Sequence, residues 1–133
     1  QIRPTIEATA WESLALANTM VAFATTRRYA YHSIGALGVV ELTAPGRTKL
    51  VAQGLRRLGF SNKERMYFDV HAVLDVKHSK DWNSEVLWPL VAERPESARF
   101  IAEGALMRLS CGARCFDRYR RHLWGEPLME AAE

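Results

Sequence analysis

Apolar residues recur at intervals of three and four along nearly the whole chain, and alternating apolar–polar runs bounded by tight turns are missing. This periodicity predicts helices throughout. After Pro4 and Thr5, IEATAWESLALANTMVAFA reads as a first helix running to about Thr25. A second, RRYAYHSIGALGVVELT, should span about Arg27 to Thr43 and end before the Ala44-Pro45-Gly46 break. Pro45 suits the first turn of a third, GRTKLVAQGLRRL, with Gly59 as the residue just past its end. Ser61-Asn62-Lys63-Glu64 has the spacing of a capping box and should open a fourth helix, through His71, Asp75 and His78 towards Trp82. Beyond Trp88, Pro89 removes a backbone donor and should bend any continuation. Pro95 opens a last long helix, ESARFIAEGALMRLSCGARCFDRYRRHLW, ending near Gly125 before a frayed tail. About five helices with short connections predict an all-α, antiparallel bundle in which residues 1–133 form a single domain.

Composition narrows the class. With 48% apolar and 25% charged residues the chain is globular rather than disordered. Its net charge of +3 comes from scattered Lys and Arg, which argues against nucleic acid as a partner. No apolar run approaches the roughly 18 residues of a membrane span, and the first residues lack a secretory pattern. The two cysteines, Cys111 and Cys115, do not make a disulfide framework, so a reducing, cytoplasmic location is expected. The chain opens at Gln1 rather than Met, which suits a portion of a longer protein.

The fourth helix carries the chemistry. In YFDVHAVLDVKHSKDW, His78 lies about 20° from His71 around the axis, and Asp75 about 40° to the other side. The three share one stripe among Ala72, Val73, Leu74 and Val76, with Phe68 and Trp82 at its flanks. A stripe turned to water more often alternates Lys with Glu. Two imidazoles and a carboxylate supply nitrogen and anionic oxygen donors suited to Fe, Mn or Zn. Asp75-x-x-His78 also has the i, i+3 geometry of carboxylate–histidine pairs in bundle-embedded dimetal sites. Spacing alone leaves open a hydrated polar face. Glu41 is a further candidate, since GALGVVELTA is otherwise apolar or small and an ionised carboxylate there needs a partner, a metal or an outlet to water. Gly35 and Gly38 would let that helix approach its neighbour closely. His32, about 180° from Glu41 around the helix, reads as structural or surface-exposed, and His122 as a helix-end residue. Cys111 and Cys115 read as buried small hydrophobes.

These residues carry a family resemblance. GALGVVELTAPGR, GLRRLG and YFDVHAVLDVKHSKDW together resemble the heme-oxygenase-like diiron oxidases, the iron-containing redox enzymes, over about residues 30 to 110. The pattern is a core-helix Glu followed by a His-x3-Asp-x2-His run, matched here by Glu41 and by His71, Asp75 and His78. The resemblance implies a heme-oxygenase-like bundle, with these four residues as metal ligands to two Fe(II) ions. It also implies O2 as co-substrate, an external electron donor and a small-molecule substrate that undergoes oxidative C–C cleavage or N-oxygenation. The family draws a further Glu and His from an earlier helix. By that pattern the chain is the C-terminal portion of a larger domain, completed by N-terminal helices of the same protein or by another chain, with a homodimer as one arrangement. The other readings are an iron-free relative of the thiaminase type, which the His-Asp-His run opposes, and a helical interaction module without activity.

Overall fold

The computed structural model describes residues 5–125, and every regular element among them is helical. Helix α1 (Trp11–Thr25) leads through a 3-10 turn (Arg27–Tyr29) into α2 (Ala30–Arg57), and α3 (Asn62–Asp81) follows. A π-helical turn (Trp82–Leu87) joins α3 to the short α4 (Trp88–Glu93), and α5 (Ser97–Trp124) closes the series. The all-α class expected from the periodicity therefore holds. The tail expected to fray lies outside the described residues.

Several ends are where the sequence places them. The Ser61 hydroxyl accepts from the Glu64 amide, and the Glu64 carboxylate accepts from the Ser61 amide at 2.9 Å, so the capping box is complete. A hydrogen bond donated by the Ser61 hydroxyl, and then the one from the Ser61 amide, hold the Glu64 carboxyl below its ordinary value. Gly59 takes a positive φ of 80° after α2, and Gly125 one of 66° after α5. The first helix begins later than its apolar pattern suggests, at Trp11.

The division expected at Pro45 is absent: α2 runs unbroken for 28 residues with Pro45 inside it. Pro45 has no N–H for the Glu41 carbonyl, a local loss of about 3 kcal/mol in an isolated helix. Nearby side chains bond other carbonyls of the same turns. Thr43 Oγ1 donates to Val39, Thr48 Oγ1 to Ala44, and Arg47 Nε to Thr43. Tertiary packing decides the outcome, because α2 lies along α3 on both sides of the proline. Arg56 pairs with Asp69 at one end, and Glu41 faces His78 further along. The π turn is a comparable adjustment, since it comes just before Pro89.

The chain path is an up-and-down arrangement around α2. The pairs Arg56–Asp69 and Glu41–His78 make α2 and α3 antiparallel. Thr19 meets Cys111 while Ser13 meets Tyr119, so α1 and α5 are also antiparallel. The sense of α5 is that of α2, because His32 meets Phe100 near the start of both while Arg47 and Arg108 share a cleft further along both. Their crossing is backbone to backbone. A Cβ on Gly35 would stand 1.8 Å from the Ile101 carbonyl oxygen, and one on Gly104 would stand 2.0 Å from that of His32. Towards α3, a Cβ on Gly38 would stand 2.7 Å from the Trp82 indole nitrogen. The buried apolar set is correspondingly small-bodied: Ala36, Val39, Ala52 and Cys115, with Phe23 and Ile101.

Gly35→Ala and Gly104→Ala are each expected to destabilise the fold by about 3 kcal/mol in urea titrations. Gly46→Ala, with open space around its added methyl, should instead stabilise by up to about 1 kcal/mol. Equal effects at the three positions would contradict the close crossing.

Candidate metal centre

The antiparallel packing of α2 on α3 sets Glu41 opposite Asp75 and His78. One donor atom from each of these residues lies within 4.8 Å of the other two. His78 Nδ1 stands 3.4 Å from Asp75 Oδ1 and 3.7 Å from Glu41 Oε2. Asp75 is only 4% exposed, whereas His78 keeps half its side chain in water. Two carboxylates thus converge on one imidazole, and one of them is buried. A buried carboxylate is costly unless it is paired or bound to a cation.

The donor set fits iron. Donors that share one ion of zinc-like radius at about 2.0–2.2 Å stand no more than about 4.4 Å apart; both His78 separations meet that bound, and the three donors together lie within 4.8 Å. Imidazole nitrogen with carboxylate oxygen is a combination suited to Fe or Mn.

His71, one turn before Asp75, is not drawn into this group. Its Nδ1 lies 2.7 Å from the Tyr67 carbonyl oxygen, and its ring stacks on Tyr67 at a centroid distance of 4.0 Å. A carbonyl oxygen only accepts, so Nδ1 is the donor in this contact, and in the neutral ring that leaves Nε2 as the nitrogen with a lone pair. Metal-binding histidines are commonly oriented in this way, by a second bond from the far ring nitrogen. The spacing of four between Tyr67 and His71 on one helix brings the carbonyl and both rings together.

The flanking aromatics pack around the pair of helices. Trp82 is half-buried against Gly38, with its indole nitrogen lacking a partner, and Phe68 meets Tyr67 edge-on at 5.2 Å. Away from the centre, His32 Nε2 lies 3.3 Å from Glu103 Oε2 within an aromatic group of Phe23, Tyr29 and Phe100. That is the structural role expected of it. A hydrogen bond from Arg99 is the main influence holding the Glu103 carboxyl below its ordinary value. Cys115 is buried, Cys111 is half-buried, and both are free thiols.

A family model described as iron-containing redox enzyme matches residues 2–113. The chain belongs to the iron-containing redox enzyme family. The matched span contains Glu41, His71, Asp75 and His78, and it extends the resemblance towards the start of the chain. Among curated proteins and solved structures, nothing matches. Membership in the iron-containing redox enzyme family makes iron the metal to consider at the α2–α3 cluster and oxidoreduction the general chemistry. Among the described residues, no helix is long and apolar enough to cross a membrane.

In metal-free protein above neutral pH, nitrogen-15 NMR of the histidine side chains should find His71 protonated at Nδ1. A dominant Nε2–H tautomer would contradict the Tyr67 contact.

Proposed function

We propose that this chain supplies part of a nonheme diiron, O2-dependent oxidase or oxygenase acting on a small organic metabolite, by oxidative C–C cleavage or N-oxygenation. The observation that carries the reading is the convergence of Glu41, Asp75 and His78 around a buried carboxylate. In this reading Glu41, Asp75 and His78 hold iron, and His71 joins them through Nε2 after a side-chain rotation about its helix. Bound iron supplies redox chemistry towards O2, with electrons from an external donor. The chain's own contribution is charge and position. Asp75 is the fixed anionic donor and Glu41 reaches across from α2, while His71 leaves the Tyr67 carbonyl to join them. Trp82 packs against Gly38, one turn before Glu41 on the same helix.

Further ligands would come from helices of the same protein or of another chain, a second copy included. One feature supports a partner. On α3, Met66, Tyr67, Val70, Val73 and Leu74 form an exposed apolar stripe at helical spacing beside His71.

Anaerobic addition of Fe(II), followed by desalting and iron analysis, tests the reading. Iron should be retained, with affinity at least about tenfold lower in Asp75→Ala and in His78→Ala. Exposure of the loaded protein to air should then consume O2. Retention of no iron by the unaltered protein would sink the proposal.

A further inference from the structure

On the other flank of α2 lies a second arrangement that the iron reading does not use. Arg47 follows Glu41 by six positions, which turns it about 120° around the helix, away from α3. There it lines a cleft of about 270 Å³ between α1, α2 and α5, together with Arg108, Ser13, Tyr119, Leu16 and Phe116.

Two half-buried guanidiniums therefore share one small cleft, and their charges are uncompensated. No carboxylate lies within ion-pairing distance of either among the described residues. Burial first, and then the charge of Arg47, pushes the Arg108 guanidinium below its ordinary value. Arg47 spends Nε and one Nη2 hydrogen on Thr43, leaving Nη1 free to donate. Arg108 makes no hydrogen bond among the described residues, and its Nη1 lies over Gly112, where a Cβ would approach it to 2.8 Å. The missing side chain at Gly112 is what gives the guanidinium its seat. At the cleft wall, the Ser13 and Tyr119 hydroxyls are bonded to each other at 2.8 Å.

Like charges held together without a counterion disfavour the free state, and an anion between them removes the repulsion. Guanidinium forks match planar, two-oxygen acceptors. The remaining walls are apolar, from Leu16, Ala17 and Phe116, so the occupant needs an uncharged body as well as an anionic head. The volume equals roughly nine water molecules in the liquid, which sets a small size. We propose that the cleft between α1, α2 and α5 binds a small organic acid, with its carboxylate on Arg47 and Arg108 and its apolar body against Leu16 and Phe116. This site stands apart from the α2–α3 cluster and does not depend on iron.

Isothermal titration of the metal-free full chain with hexanoate, hexanamide and inorganic phosphate tests this directly. Hexanoate should bind, and hexanamide and phosphate should each bind at least about tenfold more weakly. Arg108→Gln should weaken hexanoate by a similar factor. Gly112→Ala, which crowds the guanidinium while leaving its charge, should weaken it several-fold without lowering the melting temperature of the fold. Any of four results would overturn the proposal: no hexanoate binding, equal binding of the amide, equal binding of phosphate, or unchanged affinity in both variants.

Discussion

Two helices can meet backbone to backbone only where side chains are absent from the contact, and α2 and α5 satisfy this at Gly35 and Gly104. With the Gly35 Cβ position 1.8 Å from a carbonyl oxygen, no other residue fits without moving a whole helix. The contact fixes α2 in depth and in rotation. Once α2 is set, its other positions have determined neighbours: Gly38 faces Trp82, Glu41 faces α3, and Arg47 faces the α1–α5 side. The same contact explains why α2 survives Pro45. Packing on both flanks outweighs one missing backbone bond, as tertiary context commonly outweighs local propensity.

The α2–α3 cluster follows from that placement. A carboxylate on α2 and a carboxylate–histidine pair on α3 are brought into a shared volume by antiparallel packing, with Asp75 buried beneath. In a small helical domain a buried acid opposite a second acid is destabilising in itself. Its presence is therefore informative about what the pair serves, and the family to which the chain belongs is an iron-containing one. The α1–α2–α5 cleft shows the same logic with the sign reversed, two cations held together with no paired acid among the described residues.

Much of the fold was legible. The capping box at Ser61, the positive-φ positions at Gly59 and Gly125 and the helical stripe of His71, Asp75 and His78 all rest on short-range spacing, which sequence displays directly. Glu41 was legible as a charge in an apolar run. What sequence could not show depends on contacts between distant segments. Pro45 looks like a break because its cost is local, while the packing that overrides it comes from α3 and α5. The division of the four candidate ligands is of the same kind. Periodicity places His71 and His78 on one stripe, but the Tyr67 carbonyl holds the His71 ring aside. Arg47 and Arg108 meet across helices, with no local pattern to link them.

The central claim is that Glu41, Asp75 and His78 form one iron-binding unit across α2 and α3. Mössbauer spectroscopy of protein loaded anaerobically with 57Fe(II) addresses it most directly, because the spectrum reports the ligands of the iron itself. The account predicts high-spin Fe(II) in nitrogen–oxygen coordination, distinct from Fe(II) in buffer, with that component lost in Asp75→Ala. A spectrum indistinguishable from Fe(II) in buffer, or one unchanged by Asp75→Ala, would contradict it.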